Sequence, residues 1–126
     1  MMKYLYLSSK NSLNIYPTNT SYDFTVELPN TIFGVYECAL ADITYSDTVQ
    51  QDMYVYSDIC EENVIDDKYL PILRVVSAPG EISNYYFVNA SREAIQRVRV
   101  FIRDANFKVP SVSLGTVRVT LLLRRV

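Results

Sequence analysis

The sequence has 126 residues, 49% of them apolar and 21% charged, which fits one folded domain over residues 1–126 rather than a disordered chain. It contains no His, the side chain that most often acts as a general base or binds a transition metal, and its three isolated Gly form no phosphate-binding loop. With a net charge of −2 and none of these motifs, we expect no enzyme, no cofactor and no metal site.

The first part of the chain predicts short strands separated by turns. In the third predicted strand, apolar residues alternate with polar ones, which is the period of a half-buried strand. In the fourth the alternation slips by one residue, which predicts a bulge near Asp42. The predicted strands of this part are residues 3–7, 13–16, 22–29 and 34–46.

The remainder predicts further strands and an acidic loop, residues 60–67 (CEENVIDD). Pro71 favours an edge strand or a bulge, because proline cannot donate to a central sheet ladder. Ser91 is a suitable cap for a single helical turn at residues 91–94. The predicted strands of this part are residues 52–58, 68–76, 84–89, 95–103 and 116–125.

The last two strands have the clearest inward and outward faces. The residues expected to face inward are Val98, Val100, Ile102, Val117, Val119, Leu121 and Leu123. Those expected to face outward are Arg97, Arg99, Phe101 and Arg103 on the first of the two strands, and Arg118, Thr120, Leu122 and Arg124 on the second.

About eight short strands without a βαβ rhythm predict an all-β fold, an eight-stranded antiparallel jelly-roll sandwich. The eleven Tyr and five Phe agree, because aromatic side chains fit a pleated, half-buried surface. An immunoglobulin-like sandwich is disfavoured, since that fold carries a Cys–Trp–Cys pattern and this chain has no Trp.

The two cysteines bear on the compartment. The opening residues do not resemble a signal peptide, and no run approaches the ~20 apolar residues of a membrane span. We therefore expect synthesis in a reducing compartment and no membrane span. Cys38 and Cys60 are predicted to be buried, unbridged thiols rather than a disulfide.

Charge is distributed unevenly along the chain. Residues 1–91 carry four bases and twelve acids, a net charge of −8, whereas residues 92–126 carry eight bases and two acids, a net charge of +6. Such an asymmetry points to a partner, either nucleic acid or an acidic protein surface.

The arginines of residues 95–103 are predicted to form a subunit interface. Three guanidinium groups on one strand face can bind carboxylates, and the apolar residues Phe101 and Leu122, expected to be exposed among arginines, favour a protein contact. The predicted interface residues are Arg97, Arg99, Phe101, Arg103 and Leu122, facing Glu61, Glu62, Asp66 and Asp67 of a second copy.

Other interpretations remain open for these residues. The arginine face could be a solvated strand surface or a phosphate-binding surface, although nucleic acid is the less favoured partner. The spacing in the acidic loop matches no calcium-binding loop, so a solvated loop is the simpler interpretation. Exposed tyrosines could also bind a carbohydrate or a receptor, and the candidates are Tyr54, Tyr56, Tyr85 and Tyr86.

With the strands laid out, the sequence resembles the single jelly-roll minor capsid (penton-type) proteins of Maverick/Polinton-type elements and adintoviruses. The opening phrase, extended residues followed by a strand and then YECAL, carries the most specific likeness. The similar stretches are residues 6–45 (from YLSSKNS to ADITY), 52–76 (DMYVYSDICEENVIDDKYLPILRVV) and 97–125 (from RVRVFIRD to LLLRR).

The resemblance implies a viral or virus-derived structural protein that is found in the virion after synthesis in the host cytoplasm or nucleus. It implies a cyclic homo-oligomer, a pentamer in preference to a trimer, in contact with other capsid proteins such as a major capsid protein. It implies no catalytic residue. The first alternative is a ring-forming histone chaperone of the nucleoplasmin type, and the second is a receptor- or carbohydrate-binding head.

Overall fold

The computed structural model describes residues 2–46 and 51–126, and these form strands and turns without a helix. The all-β prediction is therefore confirmed, and no described segment could cross a membrane as a helix. The strands are β1 (Met2–Ser8), β2 (Asp23–Phe33), β3 (Tyr36–Thr44), β4 (Met53–Ser57), β5 (Asn63–Ile65), β6 (Lys68–Leu70), β7 (Ile72–Val76), β8 (Gly80–Glu81), β9 (Val88–Asn89), β10 (Ala94–Arg103) and β11 (Arg118–Arg125).

The strands form two main antiparallel sheets. The first sheet has the order β1-β11-β3-β8, with β9 also paired to β3, and the second has the order β2-β10-β4-β7. The short strands β5 and β6 form a separate hairpin. The last two long strands therefore lie inside the sheets, β11 between β1 and β3 and β10 between β2 and β4.

The hydrophobic core consists of inward-facing side chains from both sheets. Val98, Val100 and Ile102 of β10 are fully buried in it, and so are Leu121 and Leu123 of β11. These are faces that the alternating pattern predicts, because successive residues of a strand point to opposite sides of the sheet. Packing such apolar faces against each other gives most of the driving force for folding.

The bulge predicted near Asp42 is present. Thr120 of β11 lies opposite Asp42, whereas the next residue, Leu121, lies opposite Leu40. Ala41 is therefore the extra residue on β3. It shifts the alternation so that both Leu40 and Ile43 reach the core.

Proline marks edge strands, as its missing N–H requires. β2 continues through Pro29, where the sequence predicted its end, because β2 is an edge strand and its register with β10 shifts between Ile95 and Arg97. Pro71 separates β6 from β7, which is the edge strand on the other side of the same sheet.

Three local predictions are wrong. Residues 13–16 form turns, with the Tyr16 N–H donating to the Ser12 carbonyl at 2.8 Å. Of residues 84–89, only Val88 and Asn89 form a strand. No helical turn forms at residues 91–94, because β10 begins at Ala94, and the Ser91 N–H donates to the Ile59 carbonyl at 2.7 Å.

The two cysteines lie together in the core. Cys38 of β3 and Cys60, which follows β4, are buried free thiols whose Sγ atoms are 3.3 Å apart. This separation is longer than the ~2.05 Å of an S–S bond. Their hydrogen bond links β3 of the first sheet to the segment that follows β4, and their redox state in solution stays a prediction.

Candidate subunit-contact surface

The predicted interface strand, β10, presents its arginines on the outer face of the second sheet. The core residues of β10, Val98, Val100 and Ile102, alternate with outward-facing residues. The outward-facing residues are Arg97, Arg99, Phe101 and Arg103. We call these three arginines the arginine stripe. The sequence prediction placed them on the correct face, because the alternation is unbroken from Arg97 onward.

Two of the three arginines already have a carboxylate partner within the chain. Arg99 donates two hydrogen bonds to Asp23 on the neighbouring strand β2, Nε to Oδ1 at 2.9 Å and a terminal nitrogen to Oδ2 at 2.7 Å. This contact raises the pKa of Arg99. Arg103 approaches the same carboxylate at 3.9 Å and donates to the Tyr22 carbonyl at 3.3 Å. Of the stripe, Arg97 is the residue without a salt bridge among the described residues.

Phe101 is not exposed, which corrects the sequence expectation. Its side chain lies on the outer face, but only 7% of its surface is accessible. Its ring stacks on Tyr56 with 5.0 Å between centroids, Phe107 contacts it edge-on at 6.5 Å, and the Arg99 guanidinium lies 4.5 Å from its centroid. Burial in this small aromatic cluster also raises the pKa of Tyr56.

Leu122 is not part of the same surface, which is a second correction. It lies on β11, in the other sheet, and is 1% exposed. Its neighbours in register are Tyr4 on β1 and Ala39 on β3. Since β11 is a central strand, its outer face is flanked on both sides and the side chain is buried there.

The four acidic residues lie on or next to the β5–β6 hairpin, and all are exposed. Asp66 and Asp67 form the tip, and Glu61 and Glu62 precede β5. We call residues 61–70 the acidic hairpin. Among the described residues, none of these four carboxylates forms a salt bridge with the arginine stripe.

One side of the acidic hairpin faces the second sheet. Asp66 and Lys68 line a cavity of about 250 Å³ together with Tyr54, Tyr56 and Phe107. The opposite side carries Val64 and Tyr69, which oppose each other in register and are 62% and 70% exposed. The hairpin therefore presents an apolar pair to solvent within an acidic segment.

A surface that the sequence did not indicate lies at one end of the sandwich. Met2, Phe33, Val35 and Val126 are 56%, 69%, 49% and 76% exposed. Apart from Phe33 and Val35, which flank Gly34, they are distant in sequence, so no local pattern brings all four together. The start of β1, the β2–β3 turn and the residue after β11 place them at the same end. We call these four residues the apolar end.

For the candidate tyrosine and metal sites, the described residues add no further observation that points to a ligand. Tyr54 and Tyr56 line the cavity under the acidic hairpin, and Tyr56 is buried. The Arg74 guanidinium lies 4.0 Å from the ring centroid of Tyr86, and this tyrosine is still 62% exposed. Within residues 2–46 and 51–126, no group of three or more acids and cysteines is arranged to hold a metal ion.

Comparisons with known proteins give no family assignment. No protein-family model matches the chain, and no curated protein matches it. Function must therefore be inferred from the fold and the surface.

Proposed function

We propose that this chain is a jelly-roll structural subunit of a viral or virus-derived capsid, of the penton type, that assembles with copies of itself and contacts other capsid proteins. It is not an enzyme in this proposal, and its place is the virion. The observation that supports it most directly is the order in which the strands pair.

Eight strands remain if β8 and β9 are counted as one interrupted strand and the β5–β6 hairpin as an insertion. The first then pairs with the last (β1 with β11), the second with the seventh (β2 with β10), the third with the sixth (β3 with β8 and β9) and the fourth with the fifth (β4 with β7). Four nested antiparallel pairs rolled into two sheets are the pattern of a jelly roll, an architecture used by viral capsid domains and also by lectins and cupins.

The surface favours a structural role over a lectin-like or cupin-like one. Cupin chemistry needs a metal-ligand set, and the chain has no His. The exposed features include an apolar end and an acidic hairpin with an apolar pair, and exposed apolar patches mark protein contacts. Fold alone does not assign function, so the proposal depends on assembly.

Assembly is tested by the mass of the purified protein in solution. Multi-angle light scattering at high micromolar concentration and low salt should give a discrete homo-oligomer, and the proposal favours a pentamer over a trimer. Co-expression with the major capsid protein of the same source should then give particles that contain this chain. A strictly monomeric mass, together with particles that lack the chain, would overturn the proposal.

A further inference from the structure

The apolar end brings together three segments of the chain. The Val126 N–H donates to the Val35 carbonyl at 3.0 Å, which joins the residue after β11 to the β2–β3 turn. Met2 lies opposite Arg124 at the start of β1, and Phe33 is at the last position of β2. Four large apolar side chains, each about half exposed or more, thus lie at the same end of the strands as the β2–β3 turn. Turns of this kind usually carry polar residues, so the composition needs an explanation.

A positive charge lies within the apolar end. The Arg125 guanidinium lies so close to Gly34 that a Cβ atom on that glycine would be 3.2 Å from its Cζ. Arg125 forms no salt bridge among the described residues, and neither does Lys3 near the start of β1. Glu93, whose carbonyl accepts the Gly34 N–H, is the acid next to this turn.

The acidic hairpin has the opposite character. Its outward side carries the apolar pair Val64 and Tyr69, and its segment contains four exposed carboxylates. Lys68 is directed to the inward side, with its Nζ 6.0 Å from the Phe107 ring centroid, so it does not neutralise the outward side. Asp66 lines the same inward cavity as Lys68, which leaves Glu61, Glu62 and Asp67 as the other acids of the hairpin. An apolar pair within an acidic segment therefore faces solvent on one part of the chain. On another part, an apolar cluster lies beside an arginine that forms no salt bridge among the described residues.

We propose that identical copies of this chain join head to tail, with the acidic hairpin of one copy bound to the apolar end of the next. This inference rests on the proposed self-assembly and names the two surfaces that carry it. Val64 and Tyr69 pack against Phe33 and its apolar neighbours, while carboxylates of the hairpin bind Arg125. Apolar contact gives the affinity, and charge complementarity gives the orientation.

Charge also selects this contact over a symmetric one. If two apolar ends met about a twofold axis, Arg125 of each copy would approach its counterpart, and like charges oppose each other in a contact that excludes water. A head-to-tail contact uses two different surfaces on each copy. It therefore builds rings when the rotation closes and filaments when it does not.

Two surface variants test the contact. Phe33→Asp with Val126→Asp disrupts the apolar end, and Val64→Lys with Tyr69→Lys disrupts the acidic hairpin. All four positions are more than half exposed, so the thermal unfolding midpoint should stay close to that of the parent. Each variant alone should lower the association constant in sedimentation velocity by about tenfold or more.

Mixing the two variants identifies the geometry. The variant with Phe33→Asp and Val126→Asp (the end variant) retains an intact acidic hairpin. The variant with Val64→Lys and Tyr69→Lys (the hairpin variant) retains an intact apolar end. An equimolar mixture should therefore form a one-to-one dimer and nothing larger. A symmetric contact between apolar ends predicts instead that the hairpin variant associates by itself and that adding the end variant produces no further association. Ile15→Asp, at a position 52% exposed, is the matched control and should assemble like the parent.

The outcomes separate this inference from the proposed function. If the parent is monomeric under all conditions, the proposed self-assembly fails and this contact fails with it. If the parent assembles while both surface variants assemble equally well, the proposed function stands and the head-to-tail contact is wrong.

Discussion

Phe101 and Leu122 are buried on the outer faces of their sheets, so each should contribute to stability as a core residue does. Truncating a buried Phe or Leu removes its apolar contacts and leaves a cavity. We expect Phe101→Ala and Leu122→Ala each to lower the free energy of unfolding by about 3 kcal/mol. Urea unfolding followed by circular dichroism measures this.

The matched control for these two substitutions is Val109→Ala, because Val109 is 53% exposed. Exposed positions usually change stability by no more than about 0.5 kcal/mol. If Phe101→Ala or Leu122→Ala changed the unfolding free energy as little as Val109→Ala, that side chain would be solvent-exposed in solution, as the sequence alone suggested.

The side of the sheet on which these residues lie could be predicted from sequence. The side chains that bury them there could not. A period of two places Phe101 on the opposite side from Val100. It does not show that Tyr56 of β4 and Phe107 of the following loop close over the ring, because those contacts depend on sheet order. The same holds for Asp23, which binds Arg99 across 76 positions of sequence.

Cys60 makes the stability of the fold depend on pH. Its hydrogen bond with Cys38, and then burial, raise the pKa of the Cys60 thiol well above its ordinary value of about 8.5. The folded state thus holds the proton more tightly than the unfolded state. Its contribution to stability is complete below the unfolded pKa and is lost as the pH rises through the folded pKa.

We therefore expect the free energy of unfolding to fall between pH 7.5 and pH 9, measured by urea unfolding in the presence of reductant. The fall should be smaller in Cys60→Ala, which removes the titrating group, although that variant is less stable at both pH values. Equal falls in the parent and in the variant would show that Cys60 does not couple ionisation to folding.

At the scale of elements, the long strands β10 and β11 were predictable, as was the five-residue strand β4, whereas the hairpin strand β5 was not. Eight or more alternating residues define β10 and β11, whereas β5 and β6 have three residues each. Three residues are too few for a period, so the sequence indicated an acidic loop where the structure has β5, and a single strand over residues 68–76 where it has β6 and β7. Asp66 at its tip has a φ of 54°, a left-handed conformation that Asp tolerates better than most residues.

The edge position of β2 accounts for one of the other differences between prediction and structure. Proline was expected to end β2, but an edge strand needs hydrogen bonds on one side only, so the strand continues. Conversely, aromatic residues at 84–87 suggested a strand that does not form there. Phe87 instead stacks beneath the Arg124 guanidinium, 3.7 Å from its ring centroid.

For the whole molecule, the segregation of charge has an explanation inside the fold. The basic part of the chain contains the two strands that lie between strands of the acidic part. Each salt bridge among the described residues joins the acidic part to the basic part: Arg92 to Asp58, Arg99 and Arg103 to Asp23, and Arg124 to Glu37. The asymmetry therefore acts within the chain, and the apolar end and the acidic hairpin retain charges that these pairs leave over.

This arrangement makes residues 1–91 and 92–126 interdependent. The first main sheet needs β11 between β1 and β3, and the second needs β10 between β2 and β4. We expect a fragment of residues 1–91 to show no cooperative thermal transition by circular dichroism. Adding residues 92–126 as a second fragment should restore a cooperative transition, because net charges of −8 and +6 attract and the inward faces of β10 and β11 complete the core.

Variants of the second fragment test the salt bridges. A fragment with Arg99→Ala and Arg124→Ala should bind residues 1–91 more weakly. One with Arg118→Ala should bind as the parent fragment does, since Arg118 forms no salt bridge among the described residues. Added salt should reduce the difference in binding between these two variant fragments, because screening weakens exposed ion pairs and leaves apolar contacts in place. A cooperative transition in residues 1–91 alone would show that the acidic part is a domain by itself and would contradict the single-domain prediction.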